Sequence, residues 1–411
     1  MVDVFSSSFG QKMPMTLYPV SAQVRYPPMN FHMATTHEGH KMLSHVIAEH
    51  TQLPHAYVLD LIAFGAVHIS EQERVDAVAM RTRREIVRTV RQRTDMPILA
   101  ERYIRVHASP KRFPVATLID WTARILYRSE VFVVVDKPPG LLCMPSVDNW
   151  VENAKYQVER VLGMDGNTSS LHVCTRLDRG TSGVCLMAMG PEQHAKMQAE
   201  LVKENGSVRK VYKVLTRAPL PLGIVEHAAL NYRANKRAKP GPLYEVWSDS
   251  DQLWARTNRN RGQEFVPVKM EILDCAELSL GPNARASNHD CAERGAVYFE
   301  STVRLITGRT HQIRRQCAAL NAPLVSDCMY EPIAGVILQV KAHEDASTNR
   351  VLDGPSKAEV SQEQSIHVLG PEPERLGLVA ERVEFAIEGV EHVFTTDHLW
   401  WRSESIDSVP K

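Results

Sequence analysis

Hydrophobic positions between Lys41 and Val67 recur with a helical period. Leu43, Val46 and Ile47 fall on one face, Pro54 interrupts, and Tyr57, Val58, Leu61 and Ile62 resume the pattern up to Gly65. The spacing predicts two short helices and then a strand over Val67–Ser70. Arg81, Arg84, Arg88 and Arg91 follow at intervals of three, four and three, which places four guanidinium groups on one face of an expected helix over Arg81–Arg93. Beyond Ala116 the pattern turns strand-like. Val131–Asp136 is an apolar run that ends in the turn Lys137-Pro138-Pro139-Gly140, and Val208–Arg217 is rich in Val and Tyr. In Ala296–Ile306 the residues Val297, Phe299, Ser301, Val303 and Leu305 alternate onto one face, an antiparallel pattern. A helix is expected from Pro191 to the Asn205-Gly206 stop, and a second after Thr310, whose hydroxyl would cap it while Ile313, Cys317 and Leu320 point inward. Asn231–Gly241 and Ile333–Pro373 read as loops or insertions. Strands outnumber helices, so the expected class is α+β: a mixed, largely antiparallel sheet domain after a small α-rich, basic N-terminal domain. The expected organisation is a flexible tail over 1–40, a small domain over 41–114, a large domain over 115–402 with a polar insertion at about 333–373, and a tail over 403–411.

Composition narrows this in three ways. The 411 residues carry 48 Lys+Arg against 48 Asp+Glu, so a nucleic-acid binder of this composition must localise its charge. It does so between Arg81 and Arg112, where ten basic residues face three acidic ones, Glu85, Asp95 and Glu101. No run approaches the roughly 18 apolar residues of a membrane helix, so no membrane partner is expected. The seven cysteines lack any C-x-x-C spacing, which favours buried thiols in a reducing compartment over zinc or disulfide chemistry. The expected location is intracellular, in cytoplasm or nucleus. An organelle is the alternative, since the first 37 residues are rich in Ser, Met and Pro and carry Lys12 and Arg25 against Asp3. Neither a P-loop nor a G-x-G-x-x-G occurs, and no cofactor or metal is expected.

Two segments exceed what packing requires. In Arg176-Leu177-Asp178-Arg179-Gly180-Thr181-Ser182-Gly183 a carboxylate stands between two arginines at a turn entering a strand. Cationic neighbours favour the ionised form that a nucleophile or base needs, though an ion-paired surface turn would look the same. Thr307-Gly308-Arg309-Thr310-His311-Gln312-Ile313-Arg314 gathers two Arg, a His and a Gln around a helix start, where anions are favoured. A triad of Ser182, His311 and Asp178 is conceivable, but no G-x-S-x-G elbow supports a hydrolase.

In this order and separation, the two segments resemble the signature motifs of the RluA-type pseudouridine synthase family, H-R-L-D-x-x-T-S-G and T-G-R-x-H-Q-(I/L)-R, with its K-x-Y between them as Lys210-Val211-Tyr212. Val133–Leu141 is similar to that family's K-P-x-G-L turn, and Ala322–Asp327 with Tyr330 to its P-(I/L)-x-G-D-x-x-Y segment. Leu376–Phe385 and His392–Trp400 are similar to its closing strands, so the resemblance runs from about Ala116 to Trp401. It implies isomerisation of uridine to pseudouridine within RNA, ribosomal or transfer RNA above all, without a cofactor and by a chain expected to be a monomer. It implies that Asp178 acts at the target nucleotide, that Tyr212 packs on its base and that Arg309 pairs with Asp178. Arg176, His311, Gln312 and Arg314 complete the expected substrate site. The RNA backbone is expected at Arg81, Arg84, Arg88 and Arg91 and at the loop with Arg233, Lys236, Arg237 and Lys239. Three positions depart from the pattern: Thr175 replaces a His, Arg315-Gln316-Cys317 follows the second motif, and Ser326 replaces a Gly. A catalytically silent RNA-binding protein on the same fold is the alternative.

Overall fold

The computed structural model describes residues 29–33, 41–71, 88–98, 102–164, 171–202, 208–230, 241–247, 265–279, 297–343, 351–353, 372–387 and 389–402. These fall into two compact units, one within Met1–Pro114 plus Pro145–Tyr156, the other within Val115–Met144 plus Gln157–Lys411.

The first unit holds β1 (Met29–Met33), β2 (Lys41–Met42), α1 (Leu43–Thr51), α2 (His55–Phe64), β3 (Val67–Ser70), β4 (Thr89–Gln92), β5 (Pro97–Ile98) and β6 (Arg102–Val106). Both helices sit where the apolar period puts them. Gly65, at φ 77°, ends α2 in the left-handed conformation that glycine adopts without strain. Leu43, Val46, Ile47, Val58, Leu61 and Ile62 from the helices meet Val67, Ile69, Ile104 and Val106 from the strands in one core. The strands form an antiparallel sheet in the order β1-β6-β3-β4. The tail expected over 1–40 therefore contains an ordered element, since Met29–Met33 pairs with Arg102–Val106 along its length.

The expected arginine helix is also corrected. Arg91 lies on β4, with Arg88 just before it, because Thr89 and Val90 are β-branched and pair with Ser70 and Ile69. Arg81 and Arg84 lie outside the described residues. The Arg91 guanidinium donates to the carbonyl of Gly65 and, at 2.6 Å, to that of Ser146. His68 donates to the Val147 carbonyl at 2.8 Å, and Glu152 takes the Arg112 guanidinium at 2.6 Å, so the segment Pro145–Tyr156 is integral to this unit.

The second unit is built on one 13-stranded sheet. Its strands are β7 (Ile125–Arg128), β8 (Phe132–Lys137), β9 (Leu171–Val173), β10 (Ser182–Met189), β11 (Arg209–Thr216), β12 (Gly223–Leu230), β13 (Leu243–Trp247), β14 (Phe265–Leu278), β15 (Tyr298–Leu305), β16 (Ile337–His343), β17 (Val351–Asp353), β18 (Leu378–Ile387) and β19 (Val390–Thr395). The order is β17-β16-β13-β12-β14-β15-β11-β18-β10-β8-β7, with β19 on β18 and β9 on β10. All pairings are antiparallel except β10 with β18 and β13 with β16, which makes the sheet mixed and largely antiparallel. The helices are few: α3 (Val115–Leu118), α4 (Ala154–Val161), which runs across the boundary between the units, α5 (Gly190–Val202) and α6 (Gln312–Ala319). The stretch 333–373 is not simply a loop, because Ile337–His343 pairs in parallel with Leu243–Trp247 and extends the sheet. Its polar composition hides two strands, with Val351–Asp353 pairing on Ile337–His343 at the edge of the sheet. The basic loop with Arg233, Lys236, Arg237 and Lys239 lies outside the described residues.

Strands β8 and β10, central to this sheet, are buried on both faces, as their uninterrupted apolar runs require. Gly183 marks the closest approach. Its φ is 110°, and a Cβ there would lie 2.3 Å from the Ala380 carbonyl oxygen, so the glycine of T-S-G lets β10 lie against β18.

Candidate active site

Asp178 sits in the turn that leads into β10, and that turn is held from every side. Leu177 is gripped by Cys143, whose sulfur accepts from the Leu177 N–H at 3.2 Å and donates to its carbonyl at 3.3 Å. The Arg179 carbonyl accepts from Gly140 N–H at 2.8 Å and from Lys137 Nζ at 3.4 Å. Lys137 is fully buried and also donates to the carbonyls of Pro138 and Leu141, at 2.9 and 2.8 Å. Burial pulls its ammonium below the ordinary lysine range. The Lys-Pro-Pro-Gly turn thus splints the Asp178 turn. Thr175, where the family pattern has His, accepts the Leu186 N–H at 2.8 Å and fixes the approach to the same turn.

Arg179 pairs with Glu374 at 3.1 Å, and Arg176 is exposed. Adjacent residues in a tight turn point in different directions. The groups facing the Asp178 carboxylate are His311 Nε2 at 3.8 Å and Arg314 at 4.0 Å. The expected Arg309–Asp178 pair is therefore corrected: Arg309 is exposed before α6, whereas Arg314, one turn into the helix, faces inward. Arg314 forks onto Asp327 at 2.7 and 2.8 Å, both buried. Burial alone would lower the Arg314 pKa, but the hydrogen bond and charge of Asp327 outweigh it, with Asp178 adding to them.

His311, not Thr310, caps α6, with φ 52° in the left-handed region and no cap hydrogen bond from its side chain. Its Nδ1 lies 3.0 Å from the Tyr330 hydroxyl and 3.4 Å from Arg314 Nη1. An arginine only donates, so Nδ1 is the acceptor and the ring proton sits on Nε2, toward Asp178. Burial lowers the His311 pKa first of all, which keeps the ring neutral near pH 7. Tyr212 is buried on β11 beside Asp178. Burial first, and the Asp178 charge second, push its phenol above the ordinary tyrosine range. The ring is a neutral apolar surface next to the carboxylate.

Of the expected substrate residues, Asp178, Tyr212, His311 and Arg314 come together. Gln312 is instead engaged within the T-G-R turn: it accepts from Thr307 and from the Arg309 N–H and donates to the Lys269 carbonyl and to Gln316. Arg315 and Gln316, which depart from the family pattern, are buried donors to the carbonyls of Gly241 and Pro242 and of Val225 and Val268. The residues missed as site components are Asp327 and Tyr330. Their spacing of three from each other was visible, but their approach to α6 is tertiary.

A family model for RNA pseudouridylate synthase matches residues 131–319, which contain Asp178, Tyr212, His311 and Arg314. The chain is 29% identical to RNA pseudouridine synthase 6, chloroplastic, of Arabidopsis thaliana, over 92% of this chain and 82% of that protein. It is 26% identical to ribosomal large subunit pseudouridine synthase D of Pseudomonas aeruginosa over 51% of this chain and 56% of that one. With tRNA pseudouridine synthase C of Salmonella typhi the identity is 28% over 49% of this chain and 67% of that one. The carboxylate turn and the His-Arg helix start thus fall inside the region in which this chain is similar to RNA pseudouridine synthases.

Proposed function

We propose that this enzyme isomerises specific uridines in RNA with Asp178 as the catalytic carboxylate and without a cofactor. The observation that carries this is the position of Asp178, held by a splinted turn and faced by one cation, one neutral imidazole and the ring of Tyr212. The reaction breaks the bond from the base nitrogen to the ribose, turns the base, and joins a base carbon to the same ribose carbon. The proton on that base carbon leaves and a ring nitrogen gains one, so no electrons are exchanged with a cofactor. Asp178 acts at the nucleotide during these steps, Arg314 supplies the counter-charge, and Tyr212 offers a flat surface on which the detached base turns. The target nucleotide has to leave the RNA stack, at a cost of about a few kcal/mol. The protein recovers this through backbone contacts, for which Arg81, Arg84 and Arg88 and the loop with Arg233, Lys236, Arg237 and Lys239 are the candidates.

Relatives named for the ribosomal large subunit and for tRNA support ribosomal or transfer RNA as the substrate class, and the chloroplastic relative supports an organelle as the compartment. In the test, RNA from cells lacking the gene is incubated with the wild-type and Asp178→Asn proteins and its pseudouridines are mapped. Wild-type protein restores a defined set of positions. The Asn variant, isosteric and without the ionisable group, loses at least about a hundredfold in rate while still binding RNA. An Asn variant that restores the same positions at a comparable rate removes Asp178 from the chemistry.

A further inference from the structure

Lys210 is a half-buried cation that, among the described residues, has no carboxylate or carbonyl partner. This sets it apart from its neighbours. Lys213 is tied to Thr302 and Glu300, Lys269 to Glu226, and the deeper Lys137 to three carbonyls. Burial lowers the Lys210 pKa, with no neighbouring charge acting against it. A half-buried ammonium without a counter-charge beside the Asp178 site is placed to receive an anion from outside.

Its placement says where that anion lies. Strand β11 pairs with β15 without a break, Lys210 opposite Leu305 and Tyr212 opposite Val303. Lys210 and Tyr212 therefore project from one face of β11, about 7 Å apart along the strand. The second neighbour is Gly308 of the T-G-R turn, where a Cβ would lie 3.3 Å from Lys210 Nζ. Gly308 has no left-handed φ to require glycine, and Lys210 Nζ is the atom that a Cβ there would meet.

We propose that Lys210, beside the T-G-R turn at Gly308, is an anion subsite that takes a backbone phosphate of the RNA strand beside the target nucleotide. This rests on the reading of the Asp178 site as a uridine site: a base on Tyr212 directs its ribose-phosphate along β11 toward Lys210. The phosphate supplies the missing counter-charge and fixes the strand in register with Asp178.

The test uses full-length protein carrying Asp178→Asn, so that turnover does not interfere, and a ten-residue oligouridylate as the probe. Binding is measured over a range of salt concentrations for Lys210, Lys210→Met and Lys210→Arg. The Met variant is expected to bind several-fold more weakly and to flatten the slope of log affinity against log salt by about 0.7, the single-strand value for one phosphate contact. The Arg variant keeps the slope. The Met variant also melts at the same temperature or higher, because it removes a charge that makes no ion pair among the described residues, so a loss of fold cannot produce the binding result. An unchanged slope in Lys210→Met, or a lowered melting temperature, overturns the proposal. If inorganic phosphate stabilises wild-type protein through Lys210 while the oligouridylate slope is unchanged, the site takes free phosphate and the RNA assignment is wrong. Failure of the oligouridylate to bind at low salt overturns the uridine-site reading and the subsite with it. An active Asp178→Asn enzyme overturns only the catalytic role of Asp178, since the subsite is read from binding.

Discussion

Single residues in this protein carry strain where the site needs it. Ser326 has φ 69° in the turn before Asp327, at the position where the family pattern places glycine. The left-handed conformation costs a side-chain-bearing residue about 1 kcal/mol or more, so Ser326→Gly should raise stability by roughly that amount, read as a higher melting temperature. A lower one would show that the serine side chain holds the turn. His311 is the second strained residue, and its orientation depends on the Tyr330 hydroxyl at Nδ1. Tyr330→Phe should lower kcat by about tenfold with little change in KM, because it loosens the Nε2–H donor facing Asp178 and leaves the base surface intact. A KM effect alone would place Tyr330 in binding. The existence of these residues was plain in the sequence. Their left-handed backbone was not, because neither serine nor histidine announces a positive φ as glycine does.

At the level of elements, the apolar period sufficed for α1, α2 and β3, and the alternating or continuous apolar runs for β8, β11 and β15. It failed for β4, where arginines at helical spacing lie before and on a strand. A pattern of charged residues constrains little, since charges need only reach water, whereas apolar residues need one common core. The two arginines near β4 should now behave differently. Arg91, bound to two carbonyls, is structural: Arg91→Ala should cost about 2 kcal/mol in urea unfolding of the first unit. Arg88 is exposed, and Arg88→Gln should leave stability unchanged while reducing the salt slope of RNA binding by about one contact. An Arg91→Ala protein of unaltered stability, or an unaltered slope for Arg88→Gln, would contradict the respective assignment.

At the scale of the whole molecule, His68, His107 and His311, among the described residues, have pKa values lowered by burial. The unfolded chain protonates them first as pH falls, so it binds more protons than the folded state. Their contribution to stability is full above about pH 6.5 and declines as pH falls below that value. The urea midpoint should be lower at pH 5.5 than at pH 7.5, and part of the difference should vanish in His311→Asn, since asparagine tolerates the left-handed cap. A midpoint equal at both values would mean that these rings accept protons as readily folded as unfolded. The sequence by itself determined the fold class and most of the central strands, and it singled out Asp178 and Tyr212 as candidates, because apolar periodicity and contiguous motifs are local properties of the chain. Only the tertiary structure decided that Arg314 and not Arg309 faces Asp178, that Asp327 and Tyr330 stand behind it, and that Lys210 Nζ lies beside Gly308 without an ion-pair partner among the described residues. Pairings of that kind are set by how strands far apart in sequence come into register, and spacing along the chain does not encode them.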